Sequence, residues 1–166
     1  MDCLDIAFET FTKTATRLEL LPTYHIYDTQ EYAEFRNYIE GKLINGFANQ
    51  AWIDDIINWK TEGKIVSRIR VVPHQQTDYY KYESSWCYPK NIAAGENIDF
   101  IPETTYQEIS RQFGINDDFW IFDEKIVIIL RYNSSFEFEE AIQIEDEQVK
   151  SKYLEFYNSI KEVATK

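Results

Sequence analysis

Histidine, cysteine and methionine are nearly missing from this chain, which has two, two and one of them in 166 residues. His25 and His74 stand in no HxxxH or HExxH spacing, and Cys3 and Cys87 form no CxxC pair. The common zinc frameworks are therefore excluded, and the cysteines read as free thiols of a cytoplasmic protein. Glycine (5) and proline (4) are also scarce, which excludes collagen-like and low-complexity chains and leaves little room for long linkers. No run of about 18 apolar residues occurs, and the N-terminus begins acidic without an apolar core, so neither a membrane span nor a secretory signal is expected. Lys and Arg number 17 against 29 Asp and Glu, a net charge of −12 whose field repels nucleic acid and anionic membranes. The GxGxxG, GxxxxGK[ST] and GxSxG fingerprints are absent as well.

What is present is a globular composition, 44% hydrophobic and 16% aromatic, at a length that buries a core without disulfides or a structural metal. One domain over residues 1–166 is the expectation. Residues 18–27 form an apolar stretch broken by Pro22. A helix is predicted from near Glu31, capped by Asp28 or Thr29, with Tyr32, Phe35, Tyr38 and Ile39 inward. A second, over 50–61, gathers Trp52, Ile53, Ile56 and Ile57 on one side and stops at Glu62-Gly63. Residues 64–72 are rich in β-branched side chains and end at Pro73, the pattern of a strand. A helix over 77–88, a strand over 97–101 stopped by Pro102, and a helix over 105–113 follow. Residues 119–122 and 125–132 predict a hairpin turned by Asp123-Glu124, and 136–144 a further strand with Phe136, Phe138, Ile142 and Ile144 on its buried face. Val149, Tyr153, Phe156, Ile160 and Val163 recur at helical spacing. The predicted fold class is α/β (α+β): a mixed, largely antiparallel sheet flanked by helices.

Arg68 and Arg70 stand two apart on a strand and project from one face. They suit an anion site, or ion pairs with carboxylates such as Asp78 or Glu83. Tyr79, Tyr82, Glu83 and Trp86 form a stripe at helical spacing. With Asp78 they suit the wall of a pocket for a planar or cationic ligand, and equally a core face, in which Glu83 fits only if an arginine neutralises it. Asp117, Asp118, Asp123 and Glu124 cluster near the hairpin, but turn chemistry accounts for Asp123-Glu124 and no further oxygen ligands follow at a recognisable spacing, so no metal or cofactor is expected.

The order helix, Gly63, strand with Arg68 and Arg70, Gly95 turn, strand, and hairpin centred on Asp123 resembles half of a phospholipase-D-like domain. Matching Asp123 to the aspartate of that family's His-x-Lys-x4-Asp motif puts Asn116 at the histidine and Asp118 at the lysine position. Asparagine forms no phosphohistidine, and a carboxylate repels phosphate, so the resemblance implies a degenerate, inactive member. A second resemblance covers most of the chain. Arg68-Ile69-Arg70-Val71-Val72, Asp78-Tyr79-x-x-Tyr82-Glu83, Asn91-Ile92-Ala93-Ala94-Gly95-Glu96-x-Ile98, Ile101-Pro102 and Asp118-Phe119-Trp120-Ile121-Phe122-Asp123 look like an uncharacterised bacterial family, a domain of unknown function common in actinobacteria beside helix-turn-helix regulators. That resemblance implies a fold and a regulatory setting, and carries no catalytic residue.

The expectation is a non-catalytic regulatory, interaction or ligand-sensing domain. It would bind a partner protein, such as a transcriptional regulator, or a small ligand. The candidate binding residues are Arg68, Arg70, Asp78, Tyr82, Glu83, Trp86, Asp118, Trp120 and Asp123. Direct nucleic-acid binding is disfavoured by charge. The alternative is a hydrolase or transferase using Asp78, Glu83 or Asp118 as acid or base.

Overall fold

The computed structural model describes residues 2–27, 29–44 and 46–166. Six strands build one sheet: β1 (Thr14–Glu19), β2 (Ile65–Val72), β3 (Asn97–Pro102), β4 (Asp118–Phe122), β5 (Ile126–Tyr132) and β6 (Phe138–Gln143). Their order in space is β3-β2-β1-β4-β5-β6. The pairs β1–β2 and β2–β3 are parallel, and β1–β4, β4–β5 and β5–β6 are antiparallel, so the sheet is mixed and leans antiparallel as predicted. Parallel neighbours need crossovers. Helices α2 (Gln30–Ile39) and α3 (Gln50–Thr61) connect β1 to β2. A continuous helical run made of α4 (Asp78–Tyr82), a π-helical turn (Glu83–Cys87) and α5 (Tyr88–Ala94) connects β2 to β3.

The period of two along each strand divides the side chains between the faces. Leu18, Ile69, Val71, Phe119, Ile121 and Val127 point to one face, where α6 (Glu103–Phe113) and α7 (Glu147–Lys161) cover them with Tyr106, Phe156 and Ile160. Each fully buried side chain of this size contributes about 1.5–3 kcal/mol relative to exposure. The opposite face is divided along its length. Ala15, Val66, Phe122 and Ile128 form an apolar end under α1 (Cys3–Thr10) and α3, with Phe8, Phe11, Trp52 and Trp59 packed edge to face or stacked upon it. Beyond them, toward the C-terminal ends of β1 and β2, the same face carries Arg17, Glu19, Arg68, Arg70 and Asp118, all buried or nearly so. A third cluster, with Tyr79, Tyr82 and Cys87 against Phe35 and Trp86, fastens α2 to α4.

The structure departs from the sequence reading in several places. Helix α1 and strand β1 are additional; α1 begins with a capping box in which the Asp2 carboxylate accepts from the Leu4 and Asp5 amides. Thr29 is the N-cap of α2 without a side-chain bond, and Asp28 lies outside the described residues. On α2 the buried position is Glu34, whereas Ile39 is exposed, and Ile57 of α3 is exposed too. The helix expected over 77–88 extends to Ala94. The last strand begins at Phe138: Phe136 adopts a positive φ of 61° in the preceding turn, and a register shift at Arg131/Tyr132 disturbs the alternation, leaving Phe138 half exposed on an edge strand.

Two local devices hold the sheet. Gly63, at φ 78°, ends α3 and lets the Lys64 amide bond back to the Trp59 carbonyl. In the β4–β5 hairpin Asp123 and Glu124 both take positive φ, 51° and 56°, the geometry of a tight two-residue turn. The Asp123 carboxylate accepts from the Thr12 amide (2.8 Å) and hydroxyl (2.9 Å), the Lys13 amide (2.7 Å) and the Thr14 amide (2.9 Å), pinning the α1–β1 link to the hairpin. No helix among the described residues is long and apolar enough to cross a membrane.

Candidate functional site

The parallel register sets Arg17 beside Arg68 and Glu19 beside Arg70 on one face. Four like-sized polar side chains on adjacent strands cannot all be hydrated under a helical layer, so they must satisfy one another. Glu19 is the hub. Its Oε2 accepts from Arg68 Nη1 and from the Tyr88 hydroxyl (3.0 Å), and its carbonyl accepts from Arg70 Nη1 at 3.3 Å. Arg68 also donates through Nε to Glu96 Oε1 (2.9 Å), and Arg70 through Nη2 to Glu83 Oε2 (3.2 Å). Glu96 accepts further from Asn91 Nδ2 (2.8 Å) and Trp52 Nε1 (3.4 Å).

The helical run supplies the roof. In its π turn the hydrogen bonding widens by one residue, a distortion frequent at functional sites. Glu83, Cys87, Tyr88 and Asn91 all line a cleft of about 440 Å³ that opens beside the ion network. Its other walls are aromatic and aliphatic, with Phe8, Trp52, Trp120, Leu130 and Phe138, and Glu31 and Asn49 come from α2 and the start of α3.

Arg17 differs from the other two arginines. Its guanidinium makes no direct hydrogen bond among the described residues; Nη2 stands 3.6 Å from Glu19 Oε1 and 3.8 Å from Asp118 Oδ1, and its Nε is buried without a partner. It lies over the rings of Tyr24 (5.5 Å) and Trp120 (5.9 Å). Asp118 is held by the Tyr24 hydroxyl at 2.6 Å on Oδ2, while its Oδ1 and the Asn91 Oδ1 have no hydrogen-bond partner among the described residues.

Burial and unequal pairing separate the carboxyls. Burial disfavours the Glu19 anion, but Arg17, Arg68 and Arg70 together outweigh it and hold that carboxyl well below the usual range. Burial pushes Glu83 up to about 8, and the Glu19 charge adds to the shift against Arg70 and Arg68. Asp118 is raised to about 6 by burial, moderated by Arg17. Glu31 is raised, again mainly by burial. Burial also raises the Cys87 thiol, which favours its protonated form.

Of the residues singled out from sequence, Arg68, Arg70, Glu83, Asp118 and Trp120 meet on this one face. Of the ion pairs expected between Arg68 or Arg70 and Asp78 or Glu83, Arg70–Glu83 forms, while Arg68 pairs instead with Glu19 and Glu96. Asp78 is exposed, pairs with Lys81, and takes no part in the network. Tyr82 and Trp86 face the α2 cluster and give Glu34 their hydroxyl (3.1 Å) and indole N–H (3.4 Å), so they are core. Asp123 is the turn latch. The acidic group near the hairpin is dispersed, Asp117 accepting from Tyr153 and Asp118 from Tyr24, and no three His, Cys, Asp or Glu side chains gather to hold a metal among the described residues.

Arg17, Glu19, Glu31, Asn91 and Glu96 are additional. The alternation Thr14-Ala15-Thr16-Arg17-Leu18-Glu19 is the signal that locates the first two, a strand pattern with charges on one side. The partnership of Glu96 with Arg68 has no local signal.

Residues 2–166 match the model of a family described as Domain of unknown function (DUF6879). No curated protein matches the chain.

Proposed function

The chain belongs to the DUF6879 family, and from that premise we propose that it is a non-catalytic, ligand-sensing domain whose ligand is a small molecule seated in the cleft between the sheet and the helical run. The observation that carries this reading is the cleft itself, which has the size and the mixture of apolar walls with a few polar groups typical of small-molecule sites. Two atoms of residues lining it, Asn91 Oδ1 and Arg17 Nε, are buried without a hydrogen-bond partner among the described residues, and an unpaired buried polar atom costs stability.

The regulatory part of the proposal is that occupancy changes how the helical run packs, which a partner such as a helix-turn-helix regulator would read. It is supported by the resemblance of the chain to a family encoded beside such regulators. A cytoplasmic site of action belongs to the same proposal and is supported by the two free cysteines. Phosphodiesterase chemistry of the phospholipase-D kind forms no part of it, since Asn116 and Asp118 stand where that chemistry requires a histidine and a lysine.

The test is native mass spectrometry of the protein gently isolated from its own host, beside a Leu4→Trp variant that fills the cleft from α1. The expected result is a small-molecule mass retained by the parent and lost in the variant. A bare chain whose melting temperature does not respond to a small-molecule extract of the host overturns the reading.

A hydrolase or transferase is the second reading, favoured by one observation: Glu83 and Asp118 are raised to different values, about 8 and about 6, as an acid and a base require. Asp78, exposed on Lys81, drops out of it. Turnover of any ester, amide or glycoside that is lost in Glu83→Gln would favour this reading over the first.

A further inference from the structure

The buried network beside the cleft is unbalanced. Three arginines, Arg17, Arg68 and Arg70, face five carboxyls: Glu19, Glu96 and Asp118 beneath the cleft, and Glu31 and Glu83 on its walls. Glu19 takes most of the arginine charge and Glu96 shares Arg68, which leaves Glu83 with one bond from Arg70 at 3.2 Å, and Glu31, hydrogen-bonded to Asn49, with no arginine ion pair among the described residues. Surplus carboxyls out of bulk water are relieved by protons or by a cation.

Asn91 points to the same requirement independently. It is 5% exposed, and its amide orientation follows from chemistry: the Glu96 carboxylate only accepts, so the Asn91 nitrogen must face it. That leaves the Asn91 oxygen, which lies without a donor in a residue lining the cleft. Glu83 and Asn91 sit about two helical turns apart on the roof, so together they ask for two N–H groups on one molecule. Trp52, Trp120 and Phe8 also line the cleft, aromatic groups of the kind that suit a cationic or planar body.

We infer that the cleft binds a small organic amine: a protonated nitrogen held by Glu31 and Glu83, carried on a flat apolar body with a second N–H that serves Asn91 Oδ1. This rests on the proposal that the cleft is a small-molecule site and specifies the ligand class. Arg17 does not oppose it, because Glu19 and Asp118 flank that guanidinium at 3.6 and 3.8 Å. The raised Glu83 and Glu31 carboxyls agree with it, since an ammonium bound between them would favour their ionised forms and release protons.

Tryptamine is the probe, with its ammonium and indole N–H, compared with neutral indole-3-ethanol and anionic indole-3-acetate by calorimetry on the full chain at pH 7.5 in phosphate and in Tris. Tryptamine is expected to bind at least tenfold more tightly than either analogue, with a heat that differs between buffers because protons are released. Glu83→Gln, which mimics the protonated carboxyl and keeps the fold, and Glu31→Gln, nearer the rim, are each expected to weaken tryptamine at least fivefold without lowering the melting temperature. Equal binding of the alcohol or the acid overturns the amine assignment while leaving a small-molecule cleft in place. No binding of any of the three at millimolar concentration also overturns it, and the cleft itself is then judged by native mass spectrometry alone.

Discussion

At Glu83 two forces oppose each other: Arg70 stabilises its anion, and burial together with Glu19 disfavours it. The carboxyl is raised to about 8, above its ordinary 4.5, so the folded protein holds a proton that the unfolded chain releases. Its contribution is full below pH 4.5 and lost as pH rises through 8, so stability should fall across that interval by up to about 1.4 kcal/mol per pH unit. Asp118, raised to about 6, adds to the fall in the lower part of the range. Glu83→Gln should flatten the decline, seen as melting temperatures of parent and variant that agree near pH 5 and separate near pH 8. Arg68 is the opposite case, a cation that two buried carboxylates depend on. Arg68→Ala strands Glu19 and Glu96 and should cost about 3–5 kcal/mol in urea unfolding. Arg36→Ala, which breaks only an exposed pair with Glu40, should cost under about 1 kcal/mol.

Among the elements, the hairpin and the helical run do the positioning. The β4–β5 turn uses Asp123 in a left-handed conformation, and its four hydrogen bonds reach a segment 109–111 residues away. Asp123→Ala should destabilise by about 1–3 kcal/mol, and Asp123→Asn by less, because asparagine tolerates that conformation; urea midpoints measure the difference. Burial acts to raise this carboxyl, but the N–H donors of Thr14, Thr12 and Lys13 together with the Thr12 hydroxyl outweigh it and hold the group near 2, below its ordinary 3.8. The stability it gives is present above 3.8 and lost as pH falls through 2. The helical run was legible from Asp78 to Tyr88 because Tyr79, Tyr82 and Trp86 repeat at helical spacing. Its π turn was not, since widening one turn depends on what lies beneath it, here Glu83 against Arg70. Strand β1 is short and interrupts no apolar periodicity, which is why its charges, Arg17 and Glu19, escaped a reading based on apolar runs.

For the molecule as a whole, the exposed edges of the sheet matter most. On β3, Phe100 exchanges both backbone hydrogen bonds with Thr165, 2.6 and 2.9 Å, so the segment that follows α7 covers part of that edge. Removing Thr165 and Lys166 uncovers those groups, and light scattering should then detect more self-association than in the full chain; an unchanged mass would show that the edge is protected by other means. The sequence by itself determined the class of fold, the family resemblance, and the main strands and helices other than α1 and β1, because periods of two and 3.6 residues are local properties that survive without the rest of the chain. It also demanded that Arg68 or Arg70 neutralise Glu83, a carboxyl in an aromatic stripe, and the structure supplies Arg70. Only the tertiary structure decided the site. The hub at Glu19, the bond from Arg68 to Glu96, the dispersal of Asp78, Tyr82, Trp86 and Asp123 to other duties, and the unspent capacity of Arg17 and Asn91 all follow from which strands lie side by side, and the balance of charge in a buried cluster exists only once the chain has brought its members together.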